Sequence, residues 1–224
     1  MDVQIGIRGK DFVLLLSDKS VVHSIVQMKH NQDKMKRLNE HNIMSTTGEP
    51  GDVDSFSEYV EANIKLFGLR QERPLSTSDC AHWVRGTLAE SLRSRSPYNV
   101  NILIGGYDPL AKKASLYRID YLSSIIETKY ACHGYPSYFS YALLDKEYHN
   151  DISAEDAIKL ATKCVNQLEH RFLVNHPGFL VRVIDSEGMH TFDSQASYSE
   201  DGKRREFKFV NTATGAIVAI EAAA

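Results

Sequence analysis

The chain has 224 residues, 42% of them hydrophobic and 25% charged, the proportions of a globular domain and not of a disordered or membrane-spanning chain. Its net charge is −3, from 26 basic and 29 acidic residues, which gives no general attraction to nucleic acid or to an anionic membrane. Three cysteines, Cys80, Cys132 and Cys164, form no C-x-x-C, so zinc and thioredoxin-type readings lack support and a reduced, intracellular compartment is expected.

Residues 3–8 alternate weakly, Gly9-Lys10-Asp11 reads as a turn, and Phe12–Leu16 is an apolar run suited to a strand buried on both faces. Short strands are predicted at 20–28 and 41–47. Val53, Phe56, Val60, Ile64 and Phe67 then recur at helical spacing, with Gly68 as the stop. A second helix is predicted from Ser76 to Arg95, opened by Ser76 and Asp79 as a capping pair. Strands follow at Val100–Gly105, Ser115–Asp120 and Ile125–Ala131, the first ended by the turn Tyr107-Asp108-Pro109. Helices are predicted over Ser137–His149 and Ser153–Phe172, the latter with an apolar face of Ala157, Ile158, Ala161, Val165 and Leu168. Phe179–Ile184 and Met189–Phe192 complete a last hairpin.

Strands joined mostly as hairpins, with helices in pairs, predict an α+β protein of antiparallel sheets covered by helical layers. From Asp193 the composition changes. Residues 196–207 are mostly polar and the end is small and apolar, so 193–224 is expected to be a C-terminal extension outside the core, mobile or lying across a neighbouring subunit. The main domain is then 1–192.

The hairpin ending in SDK at 17–19, TTGEPGDVDSFSEYV, SRSPYNVNILIGGYDP, SLYRIDYLSS and HGYPSYFSYALLDKEY resemble, in their order and spacing from residue 2 to about 192, the β-type subunits of the proteasome. The likeness is greatest to the branch at the fourth position of the β ring. It implies an Ntn-hydrolase fold: a four-layer αββα sandwich of two antiparallel sheets flanked by helix pairs. It also implies partners, namely the α and β subunits of the 20S core particle: lateral β neighbours, the α ring, the opposite β ring and, indirectly, regulatory particles. Cytoplasm and nucleus are the implied locations.

In the catalytic members of that family a threonine exposed by autocleavage attacks the peptide carbonyl, and its own α-amino group helps move the proton. Aligned on SDK, Asp18 falls at the supporting aspartate, Lys34 at the lysine, and Gly48 at the glycine whose N–H lines the oxyanion site. The nucleophile position is Asp2, which has no hydroxyl. The first serine, threonine and cysteine are Ser17, Thr46 and Cys80, and none can become an N-terminal nucleophile without loss of the first strand. The serine expected after His133-Gly134 is Tyr135, and the aspartate and serine expected near the end of the last long helix fall at Phe172 and Asn175.

No catalytic residue, metal ligand or cofactor is therefore expected. Asp18 reads as a strand-end residue, Lys34 as a partner of Asp18 or Asp2 or a solvated side chain, and Gly48 as a backbone requirement. Cys132-His133 is a poor thiol–imidazole pair, because adjacent strand residues face opposite ways. The basic run Lys203-Arg204-Arg205 has acids beside it and reads as a solvated face. A retained Met1 is expected, since methionine before aspartate is usually kept. An active N-terminal-nucleophile amidase and a stand-alone binding protein are the rival readings.

Overall fold

The computed structural model describes residues 2–23, 26–172, 176–198 and 205–218. Strands β1 (Val3–Arg8) and β2 (Val13–Asp18) form the N-terminal hairpin. Both faces of β2 are covered, as its unbroken apolar run predicts: Val13, Leu14, Leu15 and Leu16 are all fully buried. Leu14 and Leu16 join Val3, Ile5 and Ile7 in one core, while Val13 and Leu15 enter another on the opposite side.

That hairpin lies inside a six-stranded antiparallel sheet, between β10 (Tyr130–Gly134) and β11 (Phe179–Asp185), with β12 (Gly188–Tyr198) and β13 (Arg205–Asn211) beyond β11. A second antiparallel sheet holds β5 (Met35–Arg37), β6 (Asn42–Gly48), β7 (Val100–Asp108), β8 (Lys113–Ile119) and β9 (Ile125–Glu127) in chain order. The stretch predicted as one strand at 20–28 is a separate small hairpin, β3 (Val21–His23) and β4 (Val26–Lys29).

Helices α1 (Pro50–Gln71) and α2 (Thr77–Ser91) cover the second sheet. Phe56, Val60 and Ile64 bury the predicted stripe of α1. Gly68 does not end α1: Glu72 does, in the left-handed region at φ 52°, and the Gly68 carbonyl accepts from the Arg73 N–H at 3.2 Å. The Ser76–Asp79 capping box forms as its residue types demand, but α2 stops at Ser91, short of Arg95. Helices α3 (Pro136–Glu147) and α4 (Ala154–Arg171) cover the six-stranded sheet. The Ser153 hydroxyl caps α4 by accepting from the Asp156 N–H at 3.1 Å, and Ala157, Ile158, Ala161, Val165 and Leu168 face the core.

Between the sheets lies a third core that includes Leu15, Ile43, Leu103, Leu116 and Ile184. Gly105 permits this close approach: a Cβ there would stand 2.6 Å from the Val13 Cγ1. The layers run helix, sheet, sheet, helix, the four-layer sandwich expected.

Two expectations need correction. Residues 125–131 are not one strand: Ile125–Glu127 ends the second sheet and Tyr130–Gly134 begins the first, so the chain changes sheets over Thr128 and Lys129. Nor do 193–198 and 205–211 lie outside the core. The boundary at 192 falls inside β12, and β13 places Phe207 and Phe209, both fully buried, in the core shared with α4. Burying a side chain of that size contributes about 1.5–3 kcal/mol, which offsets the polar neighbours in sequence. Of the basic run, Lys203 and Arg204 lie outside the described residues, as does Met1.

Candidate functional site

The antiparallel register of β1 and β2 sets Val3 beside Asp18 at one end of the six-stranded sheet, with Asp2 just ahead of it. Asp18 is fully buried. Its Oδ1 accepts from the Val3 N–H at 2.9 Å, and its Oδ2 accepts from the Ser20 N–H at 3.1 Å and from the Ser20 hydroxyl. Lys34 reaches in from the segment before β5. Its Nζ lies 2.8 and 2.9 Å from the two Asp18 oxygens and 2.8 Å from Asp2 Oδ1. The side chains of Asp18, Lys34 and Asp2 are 0%, 7% and 25% exposed, so Lys34 is an enclosed cation shared by two carboxylates and not a solvated one.

Burial alone lowers the Lys34 pKa, but the adjacent charges of Asp18 and then Asp2, with their hydrogen bonds, outweigh it and leave it raised above 10.5. The ammonium is charged at neutral pH. Its position is fixed from outside. Arg182 on β11 donates from Nη1 to the Met35 carbonyl at 2.9 Å and pairs with Asp33, gripping the chain on both sides of Lys34. The Lys34 carbonyl accepts from the Thr46 N–H at 3.2 Å. The sequence gives no local signal for the Arg182 clamp, because its partners lie about 149 positions away.

Gly48 closes β6 with φ +147°, and a Cβ there would stand 2.1 Å from the Asn99 carbonyl oxygen, so only glycine fits. Its N–H points to Asp2 Oδ2 at 3.4 Å. Asp2, Asp18, Lys34 and Gly48 are therefore brought together, as the alignment on SDK implied.

Asp2 also meets an aromatic pair. The Tyr135 N–H donates to the Asp2 carbonyl at 3.3 Å, while its ring lies 4.5 Å, centroid to centroid, from that of Phe172. These two positions, where the resemblance called for a hydroxyl and a carboxylate, hold each other by ring contact instead. Asn175 lies outside the described residues. Behind Phe172, a buried pair escaped the sequence reading: His176 Nδ1 stands 2.7 Å from Glu169 Oε1, which also accepts from the His176 N–H at 3.1 Å. It ties the end of α4 to the start of β11.

Of the remaining candidates, Thr46, buried on β6, lines the same cleft as Asp2 and Lys34. Ser17 is fully buried, on the opposite face of β2 from Asp18 by strand alternation. Cys80 is enclosed under α2, where burial pushes its thiol up to about 12. Cys132 packs in the α4 core with its thiol driven well up by burial. Its neighbour His133 is held down to about 4 by burial and by Arg118. The two groups are both in their neutral forms at pH 7, and the strand alternation separates them. Among the described residues no three His, Cys, Asp or Glu side chains cluster as metal ligands, and no helix is long and apolar enough to cross a membrane.

A cleft of about 510 Å³ opens beside Asp2 and Lys34, lined among others by Val21, Met28, Thr46 and Val53. It has the size of a small ligand site.

A family model described as "Proteasome subunit" matches residues 3–184. A Neurospora crassa protein named probable proteasome subunit beta type-4 is 42% identical over 189 residues, covering 84% of this chain and 93% of that one. The Saccharomyces cerevisiae proteasome subunit beta type-4 is 42% identical over 193 residues, 86% of this chain and 98% of its own. The Arabidopsis thaliana proteasome subunit beta type-2-B is 38% identical over 200 residues, 89% of this chain and 100% of its own.

Proposed function

The chain belongs to the proteasome subunit family, on its β-type side, and from that premise we propose that it is a non-catalytic structural subunit of the 20S core particle. The observation that carries this reading is Asp2. It occupies the place of the nucleophile, and its carboxylate is bonded to the Lys34 ammonium and directed at the Gly48 N–H. A carboxylate so neutralised is a poor nucleophile toward an amide, and although Ser20, Thr46, Thr47 and Ser57 line the same cleft, their amino groups are tied up in peptide bonds, so none pairs a hydroxyl with a free amine. The Tyr135–Phe172 contact supports the same reading, since the Phe172 ring, at a position where the resemblance calls for a carboxylate, has no polar atom with which to hold the proton of an attacking hydroxyl.

The subunit's work is then to complete the β ring at the fourth position, enclosing the chamber for ATP- and ubiquitin-dependent proteolysis. Its partners are the lateral β neighbours, the α ring, the opposite β ring and, indirectly, the regulatory particles. Cytoplasm and nucleus are the proposed locations. Exposed apolar side chains on the outer helices suit such contacts: Tyr59, Leu66 and Leu69 on α1 and Tyr138 on α3.

Intact mass of the subunit from native particles, after size-exclusion chromatography, tests the proposal. A chain retaining Asp2 in a particle of proteasome size is the expected result. A chain shortened to begin at serine or threonine, or one found only as a free monomer, overturns it.

A further inference from the structure

The two sheets meet through two unlike regions. In one, the space between them is filled by Val13, Leu15, Leu103, Ala114, Leu116 and Ile184, all buried and apolar. In the other the facing residues are polar. The strand register sets Gln4 of β1 directly opposite Ser17 of β2 on one side and His133 of β10 on the other. Directly opposed residues share one face of a sheet, with Cβ atoms about 5 Å apart, so Ser17, Gln4 and His133 form a row across three strands. The row faces the second sheet. Ser17 stands two residues on from Leu15, which enters the inter-sheet core, and Gln4 Nε2 donates to the Ser45 hydroxyl of β6 at 2.7 Å. On the second sheet Ser45 is opposite Leu103 of β7, and Leu103 is opposite Arg118 of β8. Burial and then the nearby Arg118 charge hold His133 down to about 4, so Arg118 and His133 are neighbours across the interface.

Ser17, Gln4 and His133 are 0%, 0% and 4% exposed. Yet Ser17 Oγ, Gln4 Oε1, His133 Nε2 and Arg118 Nε, all enclosed, have no hydrogen-bond partner among the described residues. Buried polar atoms are nearly always bonded, and four without partners on two facing rows point to one cause. The four differ in what they require. Gln4 Oε1 only accepts, and the Arg118 Nε–H only donates. The Ser17 hydroxyl does both, and Nε2 of the neutral His133 does one or the other by tautomer. An anion there would be repelled by the Gln4 oxygen, and a cation by the Arg118 charge. Water, with two hydrogens to give and two lone pairs to receive, suits the whole set.

We infer that bound water fills this region between the sheets, joining β2, β1 and β10 of one sheet to β8 of the other. The site is separate from the cleft, since none of Gln4, Ser17, His133 and Arg118 lines it. The water is a structural ligand. Ser17 adjoins Asp18, and Gln4 lies two residues from Asp2, so the water braces the end of the N-terminal hairpin from the face opposite Asp18. The site does not depend on whether the subunit is catalytic.

The test is the density in crystals of the assembled particle carrying this subunit, at a resolution that shows single waters, for the parent and for Gln4→Met and Ser17→Ala. In the parent an oxygen peak is expected within about 3.2 Å of Gln4 Oε1 and of at least one of Ser17 Oγ and His133 Nε2. The peak weakens or is lost in Gln4→Met, which keeps the length of the side chain and removes its amide. Ser17→Ala, the smaller change, serves if the methionine variant fails to assemble: the peak stays on Gln4 and His133 and lacks its contact at position 17. No peak in the parent, direct bonding of the three side chains to one another, or a peak unchanged in both variants overturns the inference. So does an anomalous signal at the site when bromide replaces chloride in the crystals, which would mark an anion.

Discussion

At the cleft mouth, Lys34 stands between Asp18 and Asp2 with every contact under 3 Å. In and beside the core under α4, Tyr135, Phe172, His176, Phe179 and Phe207 follow one another with ring centroids 4.5 to 6.0 Å apart. The first is a charge set in which each member depends on the others, since an enclosed charge without its partner is costly. The second is a packed row whose contribution is spread over many weak contacts. Loss of one member should therefore be felt through the whole charge set, whereas in the ring row it should stay close to the volume removed.

Lys34→Met tests the charge set most severely. It leaves Asp18 buried beside an apolar group, and a loss of about 3–5 kcal/mol in denaturant unfolding, or failure to enter the particle, is expected. Adding Asp18→Asn should recover a large part of that loss; no recovery would mean that the lysine acts through its stem and not its charge. In the ring row, Phe207→Ala should cost about 3 kcal/mol. An effect below about 1 kcal/mol would show that β13 does not carry the core as its burial indicates.

Asp2→Asn removes the more exposed carboxylate and should cost about 1 kcal/mol at pH 7. It also changes the alkaline limit. The folded Lys34 pKa lies above its ordinary 10.5, because the two carboxylates outweigh burial. The contribution is full below 10.5 and fades as pH rises through the raised value. Without the Asp2 charge the fading begins at lower pH, which alkaline unfolding curves of parent and variant will show. The smallest effect is a null one. Asp2→Thr with Met1 removed supplies a hydroxyl and an amine together, yet fluorogenic-peptide hydrolysis by this subunit should stay at background, since Tyr135 and Phe172 still stand where the resemblance calls for a hydroxyl and a carboxylate. Measurable turnover would show that the charge set alone suffices.

The charge set was legible in the sequence, and much of the ring row was not. Asp18 and Lys34 stand sixteen residues apart around a recognisable hairpin, and α4 announces itself by its Ser153 cap and apolar periodicity. Tyr135 and Phe172 were identified as departures, but their contact joins residues from different layers and leaves no local trace. Phe207 and Phe209 were missed because the polar stretch before them dominated the reading. Their alternation around Lys208 is itself a half-buried strand signal. The break at Thr128 and Lys129 was missed for another reason: the crossing between sheets uses no glycine or proline to mark it.

The strand order carries a consequence in time. Strands β5 to β9 stand in chain order in their sheet, so that sheet can close from residues 35–127 alone, although α1 and α2 separate β6 from β7. The hairpin of β1 and β2 is flanked by β10 and β11, which begin more than a hundred residues later. Its apolar strands therefore wait, uncovered, while the rest of the chain is made. Contacts of long sequence separation form late, so pulse-labelled amides at 43–46 and 102–104 should gain protection before those at 13–16. The waiting hairpin is the segment for which a folding helper has the most use.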